Sequence, residues 1–425
     1  MITPAFALNF TTATLDPRIT FTRAGNTATV TNSSGYVETI NADLPRFDYS
    51  PSTLVCRGLL IEESRSNLML YSEDFRNTTD AGSTRPWSYV RCGVTANSTA
   101  SPDGTNNADA LVEDSSASST HYLQQFITKN ALNIAYTFTC YVKKGSRDFV
   151  QFWIPGTSGG SNGVRATFDL ATGAVGTSAT IGSGWTLGAA TISPAANGFY
   201  RCSLSFTSGT ETTLFAWVMP CTSTSLSSVF YTGNGSNSLY VWGAQLEAGA
   251  SPTSYIGPTT TAAVTRNADV ATITGTNFSD FWQAVKSGAS VLATPSTVSG
   301  IRPLVQFDDN TANEIIALRG NTTNPELYIV DGGAPQAQID AGTIAANTAY
   351  SLTGWWDTND CKARKDSGAV VIDTTATIPT VTQMRIGSDG TNYLNGTLAT
   401  INYYDSFFGQ PIYTRRKNKV FPSLL

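Results

Sequence analysis

Charge is scarce in this chain: only 13% of its 425 residues are Asp, Glu, Lys or Arg, and the net charge at neutral pH is -5. A weakly acidic chain without a basic stripe is a poor match for a phosphate backbone, so nucleic acid is not an expected partner. The one short basic run, Arg415 to Lys419, reads as a solvated terminus. Histidine is scarcer still. His121 stands alone, and the six cysteines, Cys56, Cys92, Cys140, Cys202, Cys221 and Cys361, form no CxxC pair. Together these absences exclude a Cys/His zinc cluster. Any Ser-His-Asp arrangement has only His121 to use. Also missing are a GxSxG elbow, a P-loop, an HExxH helix and the long repeats of a β-helical depolymerase. No stretch approaches the roughly 20 apolar residues of a membrane span. The start, MITPAFALNF, has neither a basic n-region nor a sustained apolar run. The expectation is a chain folded in a reducing cytosol, its thiols free, with no membrane insertion.

What the chain does have is Thr, Ser, Gly and Asn in abundance, with aromatic residues at 11%. That balance suits strands and tight turns, and the expected fold class is all-β. The length is enough for several domains, each with its own core. The stretch WGAQLEAGASPTSYIG, Trp242 to Gly257, reads as the closing strand of a β-sandwich and its exit turn. Tyr240, Trp242, Ala244 and Leu246 alternate with Val241, Gly243, Gln245 and Glu247. The pattern predicts an apolar row on the core and a more polar row outward. Gly249 and Pro252 stop the strand, and the small polar residues beyond Pro258 predict a domain boundary. The expected organisation is an N-terminal strand-rich module at 1–66, a jelly roll at 67–258, a linker at 259–275 and a second antiparallel sandwich at 276–425.

The first 66 residues read as short strands, FALNF, RITFTRA, TATVTNSSGYVETI, LPRFDYSP and RGLLIEE, with hairpin chemistry at Asn32 to Gly35. The segment is too short and interrupted for a large core of its own, which predicts packing on a neighbouring chain or the following domain. LDPRITFTRA, LPRFDY and GLLIEE, continuing into SRSNLMLYSEDFRN and resumed in QLEAGASPTSYIGPTTTAAVTRNADV, resemble an N-terminal module of many tailed-bacteriophage structural proteins. The resemblance brackets residues 8 to about 275. It implies a virion protein assembled in the bacterial cytoplasm, anchored by its N-terminus, and in contact with other virion proteins as a homo-oligomer.

Between the brackets LMLYSEDF, HYLQQFI, AYTFTCYVKKG, DFVQFWI, VRATFDLATG, GFYRCSLSF, TLFAWVMP and SLYVWGAQLE alternate apolar and polar residues between Gly, Pro, Asn and Ser clusters. They resemble a jelly roll of the carbohydrate-binding-module kind. Tyr136, Phe138, Cys140 and Val142 read as a core face, and Cys140 and Cys202 as buried small hydrophobes. Sugar binding needs flat apolar surface and polar groups for hydroxyls. Trp87, Trp153, Trp185 and Trp217 are available; Trp217 and Trp242 lie inside alternating strands and read as core, whereas Trp185, in IGSGWTLGAA, is the expected ligand-facing ring. Glu73 and Asp74 have the oxygens for a structural calcium ion, as the corresponding region has in related modules, and no other cofactor is implied.

From residue 276 onward the pattern predicts a helix at Asp280 to Lys286, capped by Ser279, and then more strands. MRIGSDGTNYLNGTLATINYYDSFFG resembles the closing strands of a concanavalin-like or laminin-G-like sandwich. The usual YVDG turn is replaced by RKDSGAVVID, so the resemblance implies the fold and not a calcium-lectin site. Trp355 and Trp356 are adjacent and face opposite ways on a strand, which predicts one in the core and one free for a ligand. No catalytic residue is assigned. Glu62 with Glu63, and Asp308 with Asp309, likewise diverge, and no spacing identifies a converging acid and base. The expectation is a non-enzymatic virion protein presenting sandwiches for host-surface glycan binding or particle decoration, with a glycan-processing tail enzyme as the alternative.

Overall fold

The structure is a computed structural model that describes residues 3–405 apart from 77–78, 81–82, 85 and 158. The basic run Arg415 to Lys419 and the end of the concanavalin-like signature lie outside the described residues. Among the described residues, strands form four large sheets of eight, seven, six and six strands, every pair antiparallel. They pack as two β-sandwiches, as the composition predicts.

The first sandwich is continuous in sequence. One of its sheets orders the strands Trp87–Val90, Tyr122–Thr128, Thr213–Cys221, Phe149–Pro155, Gly163–Asp169 and Ala174–Ile181. The other orders Cys92–Thr99, Ala108–Glu113, Asn237–Ala248, Ala135–Lys144, Tyr200–Thr207 and Thr186–Pro194. Their inner faces share a core that includes Phe138, Cys140, Phe152, Phe168, Cys202 and Leu204. Cys140 and Cys202 sit opposite each other across a strand pair as free thiols, and burial pushes the Cys140 thiol up to about 12. LMLYSEDF forms no strand and runs as an irregular segment.

The Asn237–Ala248 strand departs from strict alternation. Gly243 has a φ of 61°, and the register with Ala135–Lys144 slips between Thr139 and Tyr141. A bulge of this kind inserts one residue and exchanges the faces. Leu239 and Val241 therefore share the core with Ala244 and Leu246, while Trp242 turns to the other side against Tyr141 and Tyr255. Gln245 and Glu247, expected to face water, are fully buried.

The second sandwich is built from both ends of the chain. Its Gly396–Tyr404 strand pairs along one edge with Ser287–Pro295 and along the other with two N-terminal strands in succession, Phe6–Asn9 and Cys56–Ile61. In the facing sheet Thr20–Thr22 pairs with Val270–Thr274. Phe6, Leu8, Phe10, Ile19, Phe21, Leu59 and Ile61 lie in one core with Val291, Phe307, Leu318, Trp356 and Tyr403. Residues 1–66 are thus not a module apart, and the first sandwich is inserted into the second. Residues 259–275 are no extended linker either: Val264–Arg266 pairs with Arg65–Asn67, and Ala271 and Ile273 are core residues. The expected helix lies earlier than its apolar spacing indicates, at Thr276–Ser279 after Gly275, because Phe278, Phe281 and Trp282 must reach the aromatic core around Phe307 and Tyr403. The hairpin Ala28–Thr31 with Val37–Ile40 forms as predicted, with Gly35 at φ 84° and the Asn32 side chain accepting from the backbone of Ser34 and Tyr36.

At the junction lies a buried ionic cluster. Arg46 bonds Glu62 at 2.8 Å and also Asp269, Arg23 reaches Asp269 at 3.0 Å, and Arg266 reaches Glu62 at 3.0 Å. Ser254 donates to both oxygens of Glu62, and Glu247 accepts from Gln245 and from the backbone and hydroxyl of Thr253. Burial by itself would raise the Glu62 carboxyl, but Arg266 and Arg46, with the two Ser254 hydrogen bonds, outweigh it and hold the group at about 2.

Two predictions follow from this arrangement. Because Asn67 and Val264 are paired, replacing residues 68–262 with a loop of about three residues joins them as a hairpin. The shortened chain should give a cooperative melt, whereas a fragment of 276–425, stripped of the N-terminal strands, should not; calorimetry of both decides it. Glu62→Gln leaves Arg46 and Arg266 undercompensated and should cost about 3–5 kcal/mol. Glu62 has a folded pKa of about 2 against an ordinary 4.5, so its contribution is present above 4.5 and lost as pH falls between these values. Parent and variant stabilities, measured in denaturant, should converge towards pH 2.

Candidate functional site

The sheet of the first sandwich that turns away from the second sandwich carries aromatic residues on both of its faces. Along Thr213–Cys221, Leu214, Ala216 and Val218 enter the core while Phe215, Trp217, Met219 and Cys221 face outward. Tyr122, Gln124 and Phe126 on one neighbouring strand, and Phe149, Gln151 and Trp153 on the other, obey the same alternation. Register then aligns Gln124, Trp217, Trp153 and Arg165 in one row across four strands, with Phe126 and Phe215 paired beside it.

The rings form a ledge. Tyr122 stacks on Trp217 at 4.6 Å and 16°, Trp153 meets Trp217 at 5.1 Å, and Phe126 meets Phe215 edge-on at 5.4 Å. Phe126 is 51% exposed, and Tyr122, Trp153 and Phe215 are half-buried. Two loops border the row. Gly160 packs so closely on the Trp153 ring that a Cβ there would stand 2.8 Å from it. On the other side Arg165 donates to the Leu226 carbonyl at 3.4 Å and Thr167 to the Thr224 carbonyl at 2.7 Å. Along the row the indole N–H of Trp153, that of Trp217, Nε of Arg165 and Oε1 of Gln124 are buried without a hydrogen-bond partner among the described residues. Buried polar groups are nearly always paired, so a row of orphans beside exposed rings marks a surface prepared for a ligand.

A cleft of about 1060 Å³ between the two sandwiches is the other large concavity. Its lining mixes Ser and Thr with aliphatic residues such as Val30, Leu60 and Ile192 and with Arg57 and Arg201, and its aromatic residues, Tyr141 and Tyr255, are buried. Arg201 lies 5.5 Å over the Tyr141 ring, and Arg57 pairs with Asp48.

The residues expected to bind a ligand fall elsewhere. Trp185 is 5% exposed, stacked on Phe206 at 5.6 Å, with its N–H donated to both oxygens of Glu211 at 3.1 Å. The flanking glycines, Gly156 and Gly209, do not expose the ring; they make room for it to insert. Trp356 is fully buried in the second core, and Trp355, on the opposite face, is 4% exposed beneath Arg364. None of the three offers a free ring. Glu73 and Asp74 diverge as well: the Glu73 carboxyl accepts from the Tyr255 hydroxyl at 2.9 Å, while Asp74 chelates Arg76. Among the described residues no cluster of three or more His, Cys, Asp or Glu is placed to hold a metal ion. Burial pushes Glu73 up to about 7, against the Tyr255 hydrogen bond. His121 is buried, bonded to Asp114 at 3.1 Å and packed at a tilt against the Tyr231 ring.

The sequence offered Trp153 and Trp217 among four available tryptophans and read Trp217 as core; strand register, which brings the two rings together, is not visible in it. Nor is the face that the core takes.

No protein-family model matches the chain, and no curated protein matches it. Among solved structures, a congerin II variant is 10% identical over 28% of this chain and 92% of its own, at a TM-score of 0.21. Domains LG4-5 of the mouse laminin alpha1 chain are 8% identical over 67% of this chain and 85% of their own, at 0.20. A Trypanosoma rangeli sialidase is 10% identical over 71% and 59%, at 0.26. Scores this low assign no fold family and no ligand.

Glu73 supplies a test of this region. Its folded state holds the proton more tightly than its ordinary value of 4.5, so stability falls as pH rises from about 4.5 to 7. Glu73→Gln should therefore be the more stable protein at pH 8, by about 3 kcal/mol, and match the parent near pH 4. Urea melts at the two pH values report the difference.

Proposed function

We propose that this chain is a non-enzymatic structural protein of a bacteriophage particle, and that its first sandwich binds saccharide on the Tyr122, Trp153 and Trp217 ledge. The observation that carries the binding reading is the row Gln124, Trp217, Trp153 and Arg165, which sets unpartnered polar atoms beside half-exposed rings. Aromatic faces take the C–H side of a sugar ring, and the adjacent donors and acceptor take its hydroxyls. The particle reading rests on the N-terminal segments resembling those of tailed-bacteriophage structural proteins. With those strands inside the second sandwich, attachment to other virion chains falls to that sandwich as a whole rather than to an N-terminal arm.

Of the adjacent acidic pairs in the sequence, three carboxylates are held in ion pairs. Glu62 is locked in the junction, Glu63 pairs with Arg65, and Asp308 pairs with Arg385 at 2.9 Å. These placements favour binding without turnover. A single ledge of this size binds weakly, and several copies on a particle supply firm attachment.

Trp153→Ala should lower affinity for a host-surface oligosaccharide about tenfold, because a stacked ring contributes on the order of 1 kcal/mol beyond its burial. Trp185→Ala should lower stability and leave the ledge in place. A glycan array, with a thermal melt of each variant, separates the two effects. Affinity unchanged by loss of Trp153 in a folded variant removes the site. Released reducing ends from host polysaccharide would make the protein an enzyme.

A further inference from the structure

We propose that the saccharide held on this ledge is anionic, carrying a carboxylate or a sulfate or phosphate ester that the Trp153, Trp217 and Arg165 N–H groups receive. The inference rests on the ledge being the binding surface and adds the charge of what binds there.

The donor count carries it. An indole N–H can only donate, and a guanidinium has donors and no acceptor. Of the four orphaned groups in the row, three are donors, on Trp153, Trp217 and Arg165, and Gln124 Oε1 is an acceptor; Gln151 Oε1, on the same face beside the row, is a second acceptor, so donors still outnumber acceptors. A neutral sugar hydroxyl brings a donor with every acceptor, so it suits a balanced row. An oxyanion brings acceptors only, and it matches a row weighted towards donors. Trp217 is 6% exposed, so its N–H has little water to fall back on.

Charge agrees with the count. Arg165 forms no ion pair with a described residue: its Nη1 donates to the Leu226 carbonyl, and its guanidinium stands 5.3 Å over the Trp153 ring. Asp169, on the same strand face, spends its carboxylate on the backbone N–H groups of Ala171 and Thr172. Burial lowers the Arg165 pKa and no carboxylate offsets it. A half-buried cation left without a counterion is costly unless a ligand supplies one. Placed beside Trp153 at the end of the row, on a ledge suited to sugar rings, it selects an acidic saccharide over its neutral counterpart.

The test is a tryptophan-fluorescence titration of the full chain with four oligosaccharide probes of matched length. These are an oligogalacturonide, its carboxyl-reduced form, a sulfated oligosaccharide and a neutral glucan. Expected is binding of at least one acidic probe tenfold or more tighter than the carboxyl-reduced form, weakening with added salt. Arg165→Gln should abolish that preference, and Arg165→Lys should retain part of it, with melts showing both variants folded. Preference for the uronide identifies a carboxylate as the ligand group, and preference for the sulfated probe an ester. If the acidic and carboxyl-reduced probes bind equally, and Trp153→Ala still abolishes both, the anion inference falls and the ledge stands. If no probe binds, both fall.

Discussion

The structure depends on Arg46. Its guanidinium, with no solvent exposure, sits between Glu62 and Asp269, and Arg23 and Arg266 complete the group, with Glu247 bonded alongside through Thr253. Three buried cations and three buried anions balance, which is the condition for charges to be tolerated away from water. The members come from five stretches of chain: Arg23, Arg46, Glu62, Glu247 and the pair Arg266 and Asp269. Breaking any contact leaves a charge uncompensated, so the cluster admits one arrangement of these segments and penalises others. It contributes to uniqueness of assembly more than to net stability.

That arrangement is an insertion. The chain leaves the second sandwich at Ile61, crosses through Arg65–Asn67, builds the first sandwich, and returns along Val264–Arg266 against its own exit. Asn67 clamps the crossing by donating to the carbonyls of Ala244 and Ile256 and accepting from Met69 and Leu246. The segments RITFTRA, LPRFDY, GLLIEE, QLEAGASPTSYIG and TRNADV supply this seam. Their common property is physical: each contributes a charged or amide side chain, or a strand edge, to the joint.

The joint also orients the ledge. The sheet containing Ala135–Lys144 and Tyr200–Thr207 faces the second sandwich across a cleft, and the sheet containing Trp153 and Trp217 is the other layer. Rings on that layer therefore face away from the body that would attach to other chains. Closely packed glycines do the local shaping: Gly160 lets a loop lie on Trp153, and Gly243 turns Trp242 out of the sandwich core to cover Tyr255 at the seam.

Alternation by itself determined a good deal. The all-β class, the core strands from Tyr122 to Ala248, the hairpin at Asn32 to Gly35 and the burial of Cys140 and Cys202 follow from local period and turn chemistry, which neighbouring residues carry. Only the tertiary structure decided the rest, because it depends on partners far away in sequence. A period of two says which residues share a face and not which face is covered, so Trp185 reads as exposed although glycines admit it to the core. One residue at Gly243 exchanged the faces of the central strand. The N-terminal strands carry no local mark of pairing with Gly396–Tyr404, almost four hundred residues later. Edge strands are completed by backbone hydrogen bonds that any sequence can make, and the choice among them is settled by the core they jointly bury.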